Sequence, residues 1–358
     1  LYFRRRGMTT TSAVRHSGRT KPPLLTLEIG GATDVGRERV VNEDAIYPDA
    51  VSGKRFYTPS PDELARKGQL LLVADGIGGE QFGSVASQWA IYLIAERYYT
   101  LPGEDLVLDL REAIEYANAA LYRYLQSAGV TQAGSTLAAA VIHEGMLYLA
   151  NVGDSRVYLL RQGALYQQTR DHTLAQQKAD QGVIPQSEAA IDPDAGVLTR
   201  ALGAAPAVTV DIFRPLPLAP GDMVVLCSDG LYELIPEAEI ARVALSAAPR
   251  RAVERLIEDA NERGGYDNIS LILVRVSGSA AAMADWLAPL KTDLAQLPPS
   301  QRRMLGIALA VIALVIFVAA LMWGWRLYVP AAPAASGMAV LLALRRVSRR
   351  CGWLMKSP

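Results

Sequence analysis

This chain of 358 residues contains two cysteines, Cys227 and Cys351, and three histidines, His16, His143 and His172. So few thiols exclude a disulfide framework and fit a reducing compartment. The scattered histidines exclude a typical zinc site, which gathers several His or Cys ligands at short spacing. Neither sign of charge is in excess, with 36 Lys+Arg against 36 Asp+Glu, so no nucleic-acid partner is expected. Residues 1–23 lack the apolar core of a signal peptide; they are polar and basic, end in Lys21-Pro22-Pro23, and are expected to be disordered. No internal repeat is visible.

Apolar residues make up 51% of the chain, enough to bury a full core. From Leu24 to Val276 the sequence reads as one domain. Apolar strand-like runs cover Leu25–Ile29, Gln69–Ala74, Thr136–Ile142, Met146–Val152, Arg156–Leu160, Val208–Phe213, Met223–Cys227 and Ile269–Val276. Several are separated by two to four residues, as at His143-Glu144-Gly145, which permits hairpins and leaves no room for crossover helices. Helical periodicity marks Gly83–Tyr99, Asp105–Ser127, Glu237–Leu245 and Arg250–Arg263. Grouped strands with helix pairs between them predict an α+β fold, specifically a four-layer αββα sandwich of two antiparallel sheets flanked by helices.

Carboxylates recur where the strands end. Leu70–Ala74 runs into Asp75-Gly76-Ile77-Gly78-Gly79, Leu147–Val152 into Gly153-Asp154, and Val224–Cys227 into Ser228-Asp229-Gly230. Asp267-Asn268 precedes the last strand, and Glu43-Asp44 follows the segment Thr33–Asn42. A lone aspartate of this kind is usually a turn residue. Several delivered from rigid strand ends in distant parts of the chain suit a hard divalent cation, which needs converging oxygen ligands. The glycine-rich turn after Asp75 is no nucleotide P-loop, because no Gly-Lys-Ser/Thr follows it. Asn151–Arg156 is no nucleophile elbow, since Val157 stands where the closing glycine would be. Cys227 lacks the arginine six positions on that a cysteine phosphatase needs, Glu233 standing there, and is read as a buried structural thiol.

With Ala133–Thr136, Thr169–His172, Leu198–Gly203 and Pro220–Asp222, these motifs stand in the order of one family. Over about Ile29–Val276 the chain resembles the metal-dependent PP2C (PPM) serine/threonine protein phosphatases, in particular their bacterial branch. The resemblance implies two Mn²⁺ or Mg²⁺ ions, with Asp75 bridging both, the Gly76 carbonyl on one, Asp229 and Asp267 completing the first site, and Asp44 or Glu43 the second. Asp154 with Asp229 would build a third, weaker site, which Glu233 could support through water. Arg39 matches the arginine that grips the substrate phosphate, so Arg39, Asp75 and Asp229 are the expected catalytic residues. A hydroxide bridging the two cations would attack phosphorus in line, without a phosphoenzyme. Ile77 departs from the histidine that many eukaryotic members carry there, and His172 is read as structural support for a flap at roughly Leu165–Gly203, where the family varies its substrate choice. Expected partners are phosphorylated Ser/Thr proteins and an opposing Ser/Thr kinase. The competing reading, a catalytically silent phosphoprotein-binding scaffold at the membrane, would normally accompany a lost ligand, and none is missing.

Beyond the domain, residues 277–301 read as a proline-bearing linker. Met304–Trp325 is a run of 22 residues without a charge, which as a helix would extend about 33 Å, enough to cross a bilayer core. Arg302-Arg303 and Trp323, Trp325 and Tyr328 flank it as interface residues do. A single membrane-spanning helix over 302–329 is therefore expected, with the catalytic domain cytoplasmic and residues 330–358 forming a short basic tail.

Overall fold

Along β3 (Gln69–Ala74) the side chains alternate between two cores, and both faces are buried: Leu70, Leu72 and Ala74 join one apolar cluster, Leu71 and Val73 another. β11 (Met223–Cys227) alternates likewise, with Met223, Val225 and Cys227 in a third cluster while Val224 and Leu226 share the second with Leu71 and Val73. Two sheets, each buried on both faces, thus meet across a common core, and near-continuous apolar runs are what such strands require. The computed structural model of the chain describes residues 25–49, 57–79 and 82–278.

One five-stranded antiparallel sheet has the order β1 (Thr26–Asp34), β12 (Ile269–Ser277), β11, β8 (Arg156–Arg161) and β9 (Ala164–Gln167). The other runs β10 (Asp211–Pro217), β7 (Met146–Val152), β6 (Leu137–His143), β3 and β2 (Ala45–Tyr47). A two-stranded ribbon pairs β4 (Gly76–Ile77) with β5 (Gly134–Ser135). Helices α2 (Phe82–Thr100) and α3 (Leu106–Ser127) cover the outer face of the second sheet. Helices α6 (Glu237–Ser246) and α7 (Pro249–Glu262) cover the first. The order helix, sheet, sheet, helix is the one expected from the sequence.

The strand registers put the candidate acids at one end of this sandwich. Ala45 pairs with Ala74, so Asp44 and Asp75 leave adjacent strands side by side. Leu137 pairs with Val152, and the turn from β7 to β8 carries Asp154 from one sheet to the other. Cys227 pairs with both Arg156 and Leu271, which brings Asp229 and Asp267 to the same end.

Elements too short for periodicity to reveal complete the fold: β2, β9, α1 (Pro61–Lys67), α4 (Leu174–Asp180) and α5 (Asp229–Tyr232). The β8–β9 hairpin turns on Gln162 and Gly163, both at positive φ, the backbone that a two-residue hairpin loop demands. β10 starts three residues later than expected and carries a bulge between Phe213 and Leu216, around Pro215, which cannot donate to the ladder. No helix among the described residues is long and apolar enough to cross a membrane. The expected span at 302–329, the linker at 277–301 from residue 279 onward, the basic tail and the N-terminal segment lie outside the described residues.

α1 delivers the chain into β3 through a buried charge. Lys67, fully buried, forms an ion pair with Asp109 of α3 and lies over the Tyr98 ring, 4.2 Å from its centroid. Asp109 also accepts from the Gly103 amide at 2.9 Å. Removing the acid strands a buried ammonium, so Asp109→Ala should cost about 3–5 kcal/mol. Lys67→Met, which removes the charge instead of stranding it, should cost less. Urea denaturation of both variants checks this, and equal losses would contradict the assignment.

Candidate active site

Gly36 sets the entry to the site. Its φ of +79° and the lack of room for a Cβ, which would sit 2.2 Å from the Asp267 carbonyl oxygen, require glycine there. The Arg37 amide then donates to the Gly265 carbonyl at 2.6 Å. Downstream, an Nη of Arg39 donates to Asp267 Oδ2 at 2.7 Å, with the Arg39 side chain 49% exposed. Asn268 knits this loop together: its Nδ2 donates to the carbonyls of Val35 and Val41, and its Oδ1 accepts from the Glu43 amide at 2.8 Å.

Asp44 is buried, with Oδ2 accepting from Ser228 Oγ at 2.7 Å and Oδ1 unpartnered. Burial, opposed by the hydroxyls of Ser270 and Ser228, raises its pKa from 3.8 to about 6. Asp75 is fixed by a reciprocal pair with Thr136, whose hydroxyl accepts from the Asp75 amide at 2.9 Å and whose amide donates to the Asp75 carbonyl at 2.8 Å. Burial raises the Asp75 carboxyl well above the ordinary range, and Asp44, Asp229, Asp154 and Asp267 raise it further. Asp229 is raised in the same way, by burial and then by Asp154, Asp267, Glu233 and Asp44; its Oδ1 is buried and unpartnered. Asp154 is pushed to about 7, chiefly by burial and by Asp171. Asp75 and Asp229 therefore each stand within the fields of Asp44, Asp154 and Asp267.

The fold brings both Glu43 and Asp44 to this end of the sandwich: Asp44 raises Asp75 and Asp229, while the Glu43 carboxyl acts on Asp44 and Arg39 and lies against Gly83. Gly76 must be glycine, because a Cβ there would lie 2.1 Å from the Gly83 carbonyl oxygen and 2.7 Å from that of Glu43.

The donor set fits hard divalent cations: oxygen ligands only, among them buried carboxyl oxygens of Asp44 and Asp229 that lack a protein partner. Among the described residues no three such side chains close into a tight cage around one point.

His172 is structural, as expected. Its Nδ1 accepts from the Gly153 amide at 3.0 Å, which leaves the proton on Nε2, 3.0 Å from Asp211 Oδ2. Burial lowers its pKa, favouring this neutral form. Ile77 lines a cavity of about 570 Å³ whose charged lining residue, among the described residues, is Arg200. Cys227 is fully buried, and burial pushes its thiol up to about 12, as befits a structural residue. The supporting hydroxyls of Ser228, Ser270, Thr136 and Ser87 are not singled out by the sequence pattern. The available signal is small polar residues at the ends of otherwise apolar strands.

The sequence matches the protein phosphatase 2C family over residues 58–264. It is 35% identical over 248 residues to the serine/threonine phosphatase stp of Listeria innocua, covering 68% of this chain and 93% of that protein. The chain belongs to the protein phosphatase 2C family. It is thus a protein serine/threonine phosphatase of a metal-dependent kind. The crystal structure of the serine/threonine phosphatase PstP/Ppp of Mycobacterium tuberculosis superposes with a TM-score of 0.61 at 32% identity, over 70% of this chain and 99% of that one. The catalytic domain of PstP solved in complex with two manganese ions gives a TM-score of 0.59 at 32% identity, over 71% and 99%.

The raised carboxyl pKa values dictate how this phosphatase responds to pH. A group whose folded pKa exceeds its unfolded value holds a proton that the unfolded chain has released. Its stabilisation is complete below the unfolded value of 3.8 and is lost as pH rises through about 6 for Asp44 and about 7 for Asp154. The chelator-treated protein should therefore melt at progressively lower temperature between about pH 5 and pH 8, and Mn²⁺ should raise the midpoint more at the higher pH. Thermal unfolding with and without Mn²⁺ checks both; a flat chelator-treated profile would contradict the shared field.

Proposed function

We propose that this chain hydrolyses phosphoserine and phosphothreonine on proteins at the acidic end of the sandwich, and that it opposes a Ser/Thr kinase at a membrane. The observation carrying the reading is the group of buried Asp44 and Asp154 and half-buried Asp75 and Asp229 beside the Arg39–Asp267 pair.

In this reading Asp75 would serve both core cations and the Gly76 carbonyl one of them, Asp229 and Asp267 would complete one site, and Asp44 or Glu43 the other. Asp154 and Asp229 would hold a third, weaker ion. Bound there, Mn²⁺ or Mg²⁺ would lower the pKa of water and offset charge on the phosphoryl oxygens. The chain itself contributes position. Asp267 fixes one edge of the Arg39 guanidinium, and the nitrogens it leaves unpartnered can bind two phosphate oxygens at once. The Thr136 bracket holds the Asp75 backbone at the strand end, and the Ser228 bond orients the Asp44 carboxyl. The apolar cores behind them keep the strand ends from relaxing.

The membrane part rests on sequence, on the 22 uncharged residues of Met304–Trp325 and their flanking arginines and aromatics. In this reading the catalytic domain lies on the cytoplasmic side and meets membrane-bound phosphoproteins.

An aryl phosphate should be turned over only with added Mn²⁺ or Mg²⁺, and Asp229→Asn should reduce turnover by about a thousandfold or more. Arg39→Ala should lower kcat/KM on phosphopeptides by about a hundredfold. Metal-independent turnover, or full activity in Asp229→Asn, sinks the proposal. Deleting Met304–Pro358 should move the protein to the soluble fraction with turnover unchanged; retention in the membrane pellet would refute the anchor.

A further inference from the structure

A cleft of about 810 Å³ opens between the flap and the start of α6, with Gln186 and Ile191 on one wall and Glu233, Glu237 and Tyr266 on the other. It adjoins the acidic site, since Tyr266 precedes Asp267 in the chain and Asp267 holds Arg39. The flap wall is braced by Lys178, which reaches Asp192 at 2.8 Å and Asp194 at 2.6 Å, and by bridges from Thr173 to Leu198 and from Ser135 to Leu202.

The charges in this cleft do not cancel. Arg156, the cation lining it, is committed: Nε lies 3.1 Å from both Asp171 carboxyl oxygens, Nη2 lies 2.6 Å from Oδ2, and the guanidinium sits 3.6 Å from the centroid of the Tyr232 ring. Asp171 is neutralised by that fork. Glu233 and Glu237 take part in no ion pair among the described residues. Glu233 accepts only the Tyr266 hydroxyl, at 2.7 Å, and both glutamates are exposed. Two carboxylates without a cation thus line the same cleft as Tyr266, a residue 39% exposed whose hydroxyl is held by Glu233.

Paired carboxylates and an accessible aromatic face together recognise a side chain with a cation on an apolar stem. The Arg156–Tyr232 stack is the same arrangement satisfied within the chain. A second cation entering from a substrate would find the equivalent partners in Tyr266, Glu233 and Glu237.

We propose that this cleft is a subsite for an arginine or lysine of the phosphoprotein, located within about three residues of the phosphorylated Ser or Thr. That separation follows from the sequence adjacency of Tyr266 to the residue holding Arg39, at about 3.3 Å of extended substrate per residue. The inference rests on the phosphatase reading above and adds the substrate feature that the same site selects.

The test is a set of phosphothreonine peptides, each with one arginine within three positions of the phosphothreonine, compared with an all-alanine parent on the full-length Mn²⁺-loaded protein. At least one arginine position should raise kcat/KM about fivefold, mainly through KM, and the gain should shrink on raising salt. In Glu237→Gln the gain should largely disappear, and in Glu237→Arg the arginine peptide should become worse than the parent. Aryl phosphate turnover should be unchanged in both variants, which also reports that they fold. The inference is overturned if no arginine position helps, or if the gain survives in both variants, while aryl phosphate is still hydrolysed. Loss of all metal-dependent aryl phosphate turnover in the unmutated protein would instead remove the phosphatase reading, and the inference with it.

Discussion

Repulsion between carboxyls that the fold keeps together is the constraint on which the rest of this molecule depends. Burial raises the pKa values of Asp44, Asp75, Asp154 and Asp229 at one end of the sandwich. Neighbouring carboxyls raise them further: Asp267 and Glu43 at Asp44, Asp171 and Glu233 at Asp154, and Asp154 and Asp44 at both Asp75 and Asp229. Nothing local favours that arrangement. It persists because each acid is joined to a strand whose alternate side chains fill two cores, so that retreat of a strand end would open both. The antiparallel registers then bring together strand ends drawn from widely separated parts of the chain.

Polar brackets complete what the cores begin. Asn268 bonds the Arg39 loop at three backbone groups, Thr136 holds Asp75 at its amide and carbonyl, and Ser228 holds one oxygen of Asp44. These bonds fix direction without neutralising charge. A hydroxyl or amide donor can orient a carboxylate and still leave its second oxygen free, as at Asp44. Folding stability is given up locally in exchange for a rigid, anionic concavity, a common feature of functional sites.

Much of this architecture is legible in the amino-acid sequence. Strands such as Gln69–Ala74 and Met223–Cys227 can be read to the residue, because burial on both faces writes an unbroken apolar run. The aspartates after them can be read as a set because they share that position. Less is legible where local pattern carries little information. β2 spans three residues, and the Gln162-Gly163 turn lacks the Asn or Asp common in such hairpins. Apolar pattern misplaces the start of β10 because Val208 and Val210 are apolar for a different reason: they pack on the α2–α3 core without joining a strand. Glu43 and Asp44 are not told apart by their neighbours in sequence, since the pairing of Ala45 with Ala74 carries both to the end of the sandwich where Asp75 stands. The Arg156–Asp171–Tyr232 grouping, which leaves Glu233 and Glu237 without a cation, is likewise tertiary and leaves no trace in local pattern.

The central claim is that this concentration of carboxyls exists to hold divalent cations. A crystal structure of the Mn²⁺-soaked protein, with anomalous differences measured at the manganese absorption edge, tests it most directly. The account predicts two strong anomalous peaks within ligand distance of the Asp75 carboxyl, one of them also against the Gly76 carbonyl, with Asp44, Asp229 and Asp267 turned toward them. Anomalous density confined to other surfaces, or an Asp75 carboxyl with no peak beside it, would contradict the account.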